Sequence, residues 1–384
     1  MKRRILLVSR HDYRTNWRAN FHPIADAFAA LGDQVSFVSV GYSPLSRFSQ
    51  DQRRLLDVRP NTWERVGGVD CYLWKTPFHP VGLGRPALDR LATPLYRLFA
   101  HLPGRALDEA AAAADLIVVE SGLSPVLIPR LRRRAPGAAL VYLASDLFAT
   151  IGAPIIMDEL LAEAREAITT VVVVARAMAP HLRHLGRPIR YVPHGIDPAA
   201  FAIDAPSPYP AGAGRHVVTV GSMLFDPGVF TAAADAFPDV SFHLIGTPAG
   251  ASYPANVHEH GTMRFSATVP WLRHADAGVA PYRAGAAADY LSDSSMKLMQ
   301  YGYLGLPALC PDFAVGAHPL RFGYRPGDRD SIVHALGAAL DPRVERRPAP
   351  VLTWMDVAER LADPECFPDT ALDQQPSGRP SAEH

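Results

Sequence analysis

Short runs of Val, Ile, Leu and Ala recur along this chain, separated by stretches long enough to form helices. In the first half the runs fall at 5–9, 35–40, 116–120, 139–144, 170–174 and 189–192. They are nearly continuous rather than alternating, which is the pattern of parallel strands buried on both faces. Helical stretches such as 21–31 and 157–168 lie between them. In the second half, strands are expected at 216–220, 240–245, 277–280 and 307–309, and helices at 228–236, 269–274, 294–303 and 330–340. Strand then helix, repeated through both halves, predicts an α/β protein of two Rossmann-like, doubly wound domains.

A length of 384 residues suits two domains better than one. The segment 204–214, DAPSPYPAGAG, is rich in Pro, Gly and Ala and reads as a linker. The expected division is 1–203, 204–350, and a C-terminal helix and frayed tail over 351–384. Region 42–107 fits the strand–helix rhythm poorly. It mixes arginines, among them Arg47, Arg54, Arg59, Arg90 and Arg97, with Phe48, Leu55, Trp63, Trp74 and Phe99. Leu88, Leu91, Leu95 and Leu98 recur at helical spacing. Such a face either lies in a bilayer interface or packs on a core with its arginines solvated.

Composition narrows the class. Net charge is zero, which argues against general nucleic-acid binding. Residues 1–200 nevertheless hold 25 Lys/Arg against 18 Asp/Glu, so the first half is basic. Cys71, Cys310 and Cys366 are far apart, which fits a reducing compartment and excludes a disulfide framework. The apolar run after Arg4 is too short for a signal peptide, and no run reaches the ~18 residues of a membrane span. The expected place is the cytosol or the cytosolic side of a membrane.

Ligands of open α/β sheets sit outside the carboxyl ends of the strands. Ser9-Arg10-His11-Asp12 follows the first strand without a GxGxxG, which speaks against a dinucleotide oxidoreductase. Glu120 and Asp146 end two strands, and either carboxylate can accept a proton from an attacking sugar hydroxyl. Asp146 is the preferred base, and its plainer alternative is a helix cap. In the second half, Gly221-Ser222-Met223 makes a small-residue turn after a strand. Ser294 and Ser295 then open a helix with Lys297 in its first turn. A cation there opposes the helix dipole unless an anion docks beside it. Gln300 shares that face, and Tyr282 ends the preceding strand nearby. Asp289 and Asp293 are spaced to share a cation, but the metal-free reading is preferred, with Lys297 carrying the anion's charge.

VPHGID (192–197) resembles the domain-crossing signature of GT-B glycosyltransferases. SRHDYRTNWRANFHPIADAFAALG (9–32), LASDLFATIGAP (143–154), VGSMLFDP (220–227) and DSSMKLMQYGYLGLP (293–307) together resemble the GumK glucuronosyltransferase family. The likeness runs over about residues 1–350. It implies a GT-B fold, with the domains facing each other across a cleft. It also implies inverting transfer of glucuronic acid from UDP-glucuronate to a mannose-ended oligosaccharide on a polyprenyl diphosphate, in xanthan-type exopolysaccharide synthesis. It implies a peripheral protein on the cytoplasmic face of the plasma membrane, needing no cofactor or metal. Asp146 matches the family's general base and Lys297 the lysine at the donor's charged groups. Met223, Tyr282, Met296 and Gln300 match donor-site positions. His260-Gly261-Thr262-Met263 departs from the family, which carries an acidic residue in that loop.

Two rivals stand beside this reading. A UDP-sugar 2-epimerase would need further acid/base groups and no membrane surface. An inactive nucleotide-sugar-binding scaffold of a polysaccharide assembly complex would bind UDP without turnover.

Overall fold

The computed structural model describes residues 2–15, 19–49, 51–202, 204–210, 212, 214–285 and 290–372. The chain divides into two compact units. Unit 1 comprises 1–193 with 355–384, and unit 2 comprises 194–354. Segment 204–214 therefore falls inside unit 2, where Tyr209 stacks on His216 at 4.1 Å between ring centroids.

Unit 1 contains β1 (Arg4–Ser9), β2 (Gln34–Tyr42), β3 (Trp63–Val66), β4 (Val69–Lys75), β5 (Leu116–Glu120), β6 (Ala139–Ala144), β7 (Thr170–Val173) and β8 (Ile189–Tyr191). Their order in the sheet is β3-β4-β2-β1-β5-β6-β7-β8. All neighbours are parallel except β3 with β4. Ile5, Leu6, Leu7 and Val8 are fully buried, as an interior parallel strand covered on both faces requires.

Unit 2 contains β9 (Arg215–Val220), β10 (Val240–Ile245), β11 (Val257–Glu259), β12 (Ala277–Val279), β13 (Ala308–Pro311) and β14 (Arg321–Tyr324). This sheet is parallel throughout, in the order β11-β10-β9-β12-β13-β14. The strand order reverses direction at β1 in unit 1 and at β9 in unit 2. Those reversals open a crevice beyond the carboxyl ends of the adjoining strands.

Region 42–107 differs from its sequence reading in two respects. It holds a β-hairpin, β3–β4, turning through Gly67 and Gly68 at φ 57° and 86°. Two successive positive φ values make the tight hairpin turn that glycine alone adopts without strain. The leucine stripe is not one helix either. Helix Pro86–Leu91 ends, and helix Thr93–His101 begins with Pro94, which has no N–H to continue the first ladder. Among the described residues, no helix is long and apolar enough to cross a membrane.

Candidate active site

In unit 1 the crevice beside β1 is a chamber of about 510 Å³, lined among others by Arg10, Asp12, Asp51, Glu120 and Asp146. Two of its carboxylates are neutralised by arginine. Asp12 makes a two-point ion pair with buried Arg14, at 2.9 Å through each oxygen. Asp51 grips Arg53 at 2.7 Å, and Arg53 also donates to the carbonyls of Val40 and Gly41 at the end of β2.

Glu120 is treated differently. It is 5% exposed at the end of β5, and its hydrogen-bond donor is the hydroxyl of Ser9 on β1. Ser9 in turn accepts from the His11 N–H at 2.9 Å. Burial pushes the Glu120 carboxyl up to about 8. The nearby Asp146 charge adds to that rise and the Ser9 bond opposes it. At neutral pH Glu120 is therefore mostly a proton-bearing acid. Asp146 lies on the turn after β6, half-buried, with its N–H donating to Ser121 Oγ at 3.2 Å.

The site in unit 2 is built at β9. Lys297 Nζ donates to Thr219 Oγ1 at 3.2 Å and lies 5.4 Å from the centre of the Tyr282 ring. The hydroxyl of Tyr282 meets Ser295 Oγ at 2.5 Å. Ser295 is the N-cap of helix Met296–Tyr303, accepting from the Leu298 N–H at 3.1 Å. Burial pushes the Lys297 ammonium down to about 7. An anion docked at this helix N-terminus would favour the charged form of the lysine.

Met223 is exposed on the loop after β9. That loop is tied down at its far side, where Leu224 holds φ at 50° and accepts the Arg283 N–H at 2.7 Å. Asp226 N–H bonds to Pro281 O at 2.8 Å, so the loops after β9 and β12 form one platform. Met296 and Gln300 are half-buried, one helical turn apart on helix Met296–Tyr303. The structure thus sets Lys297 over the Tyr282 ring, carries Met296 and Gln300 on the helix of Lys297, and puts Met223 on the loop after β9 that is bonded to the loop of Tyr282. Asp293 lies within the described residues, whereas Asp289, its suggested cation partner, lies outside them.

Sequence reading missed Thr219 and Ser9, because each is a lone hydroxyl in an apolar strand. It also missed a row of histidines in unit 2. His216 Nδ1 meets His243 Nε2 at 3.0 Å, and His243 Nδ1 meets His260 Nε2 at 3.0 Å. Their sequence separation hid them.

Two parallel α/β units with chemistry at their strand reversals define a GT-B glycosyltransferase fold, and solved structures agree. A glycosyltransferase from Rickettsia africae is 10% identical, with a TM-score of 0.56 over 94% of this chain and 92% of that one. A UDP-forming α,α-trehalose-phosphate synthase from Burkholderia xenovorans is 15% identical, with a TM-score of 0.57 over 93% and 95%. A model of the N-terminal domain of glucuronosyltransferase GumK matches residues 7–174. A curated UDP-glucuronate:glycolipid 2-beta-glucuronosyltransferase of Xanthomonas campestris pv. campestris is 40% identical over 97% of this chain and 92% of its own length. The chain belongs to the GumK glucuronosyltransferase family.

Proposed function

We propose that this enzyme transfers glucuronic acid from UDP-glucuronate to a mannose-ended, polyprenyl-diphosphate-linked oligosaccharide, with inversion, in exopolysaccharide synthesis. The carrying observation is the pairing of Asp146 with a neighbour, Glu120, that burial keeps protonated. Of the two strand-end carboxyls, Asp146 is the half-buried one on the chamber wall, and it is assigned the role of base. The family relationship supports the donor and the glycolipid acceptor.

In this mechanism the acceptor glycan enters the unit 1 chamber and Asp146 withdraws the proton of the attacking hydroxyl. Such general-base help is worth roughly 10²–10⁴-fold. UDP-glucuronate binds in unit 2 on Met223, Tyr282, Met296, Lys297 and Gln300. Lys297 and the N–H groups of helix Met296–Tyr303 stabilise the departing diphosphate, and no metal is needed. The half-neutral Lys297 gains its full charge as the anion binds.

We also propose attachment to the cytoplasmic face of the plasma membrane through region 42–107. Phe48, Leu55, Val58 and Leu91 are each at least three-quarters exposed there. Arg90 and Arg97 are ion-paired with Glu159 and Glu163, which leaves Arg47, Arg54, Arg59 and Arg85 for anionic headgroups. Sedimentation with anionic and neutral vesicles tests this, and equal recovery with both would count against the charge contribution.

The reaction is tested with purified protein, labelled UDP-glucuronate and a mannose-ended lipid-linked acceptor, with and without EDTA. Label is expected in the lipid fraction under both conditions. UDP binding without transfer to any acceptor would overturn the reading, and loss in EDTA would overturn its metal-free part.

A further inference from the structure

Two cavities adjoin in unit 1, and Arg10, Gly122 and Ile151 belong to the walls of both. The first is the polar chamber of Asp146. The second holds about 220 Å³; Val81, Tyr96, Leu123, Pro154 and Met157 line it together with Arg10 and His79, so its wall is part apolar and part polar. Its imidazole, His79, is already engaged at Nδ1 by Ser43 Oγ at 2.8 Å. Arg10 stands where the two meet and makes no hydrogen bond or ion pair with any described residue. Arg53 of the chamber, by contrast, is fully used by Asp51 and the end of β2.

The second cavity also leads outward. Val81 on its rim is about half exposed, as is Leu83 two residues on. Helix Thr93–His101 turns Tyr96 inward and leaves Leu95 and Leu98 half exposed. The adjoining cavities and their edge thus offer a carboxylate, the Arg10 cation, apolar side chains and exposed apolar surface. An anionic glycolipid has the matching set of sugar hydroxyls, phosphate and hydrocarbon.

We propose that the 220 Å³ cavity receives the first carbons of the acceptor's hydrocarbon chain, with Arg10 binding the phosphate that joins lipid to glycan. This rests on the reading that the chain glycosylates a lipid-linked sugar. The cavity has room for about seven methylene-sized groups at roughly 30 Å³ each, so the rest of the chain continues along the exposed leucines. The site makes the enzyme select acceptors by their lipid end, away from the bond being formed. A guanidinium suits that role, because its fork fits phosphate oxygens in pairs.

The test uses the full chain and two acceptors with the same mannose-ended glycan. One is a neutral short-chain alkyl glycoside and the other an isoprenyl diphosphate glycolipid. Wild type should prefer the second by roughly 10- to 100-fold in kcat/KM, the range of a charge-assisted contact. Arg10→Gln should bring that ratio close to one, mainly through KM. Val81→Asp, at a half-exposed position that does not challenge folding, should lower the ratio through the hydrocarbon arm alone. Farnesyl diphosphate should compete with the long acceptor in wild type and fail to do so in Arg10→Gln. Inorganic diphosphate should compete far less, which separates a lipid phosphate from a free one. Equal losses on both acceptors in Arg10→Gln, or an unchanged ratio, would overturn the proposal while leaving the transfer reaction standing. No transfer by wild type to either acceptor would remove both.

Discussion

At the candidate site of each unit desolvation shifts one ionisable side chain strongly, buried Glu120 in unit 1 and half-buried Lys297 in unit 2, and the two shifts run in opposite directions. In unit 1 it raises the Glu120 carboxyl to about 8, and in unit 2 it lowers the Lys297 ammonium to about 7. The cause is the same, since removal from water disfavours whichever form is charged. The consequences differ. In the proposed mechanism a protonated Glu120 leaves proton acceptance to Asp146. In the same mechanism Lys297, its pKa lowered by desolvation, is charged by the arriving anion. Glu120 is met by a hydroxyl, and Lys297 by a hydroxyl and an aromatic face, so among the described residues neither is ion-paired.

The comparison breaks most visibly at Lys297. Lys297→Met removes the charge while keeping the bulk, and transfer should fall by roughly 10²–10³-fold, as when one transition-state donor is lost. A steady-state assay at saturating acceptor reads this, and a loss under threefold would mean the leaving diphosphate is held elsewhere. Next comes the tight seat of the lysine helix. A Cβ on Gly278 would lie 2.6 Å from the ring of Tyr301, whose hydroxyl bonds to Val279 O at 3.2 Å. Gly278→Ala should therefore destabilise unit 2 by about 1–3 kcal/mol, the usual cost of overpacking, as denaturant unfolding would measure.

A gentler probe is pH. If anion binding charges Lys297, UDP binding takes up a proton, and affinity should fall as pH rises from 7 towards 9. The slope is at most about tenfold per pH unit. Calorimetry in two buffers of different ionisation heat would show the proton directly, and a flat profile would place Lys297 in its charged form from the start. The smallest effect is on the stability of unit 1. Glu120 binds its proton more tightly folded than unfolded, so stability is lost as pH rises from about 4.5 to 8. Glu120→Gln should raise the melting temperature more at pH 8 than at pH 5, by roughly 2–4 °C per kcal/mol relieved. Equal shifts at both pH values would contradict a buried, titrating carboxyl.

Much of this architecture is legible in the sequence because its strands are interior and parallel. Ile5–Val8 and Leu116–Val119 are apolar at every position, and no tertiary information is needed to read them. The helix 228–236 is likewise found at its expected bounds. The hairpin Trp63–Lys75 escapes because its edge strand carries Glu64 and Arg65, though Gly67-Gly68 just before the apolar run Cys71–Trp74 is its signal. The break at Ala92 was announced by Pro94 and masked by the regular leucines.

Site residues divide in the same way. Asp146 and Lys297 stand out as candidates in the sequence because strand ends and helix caps have signatures there. What surrounds them does not. That Glu120 meets Ser9 and that Lys297 meets Thr219 depend on contacts across 111 and 78 residues, and that Arg10 lines two cavities depends on the fold as well. Sequence shows which groups can ionise, and the folded environment decides which of them do.

The most direct measurement is the transfer rate of Asp146→Asn beside that of Glu120→Gln, with UDP affinity followed in both. The account predicts that Asp146→Asn loses roughly 10²–10⁴-fold in kcat with UDP binding retained, as for removal of a general base, while Glu120→Gln loses far less. The reverse ranking, with Glu120→Gln inactive and Asp146→Asn active, would contradict it and make Glu120 the base.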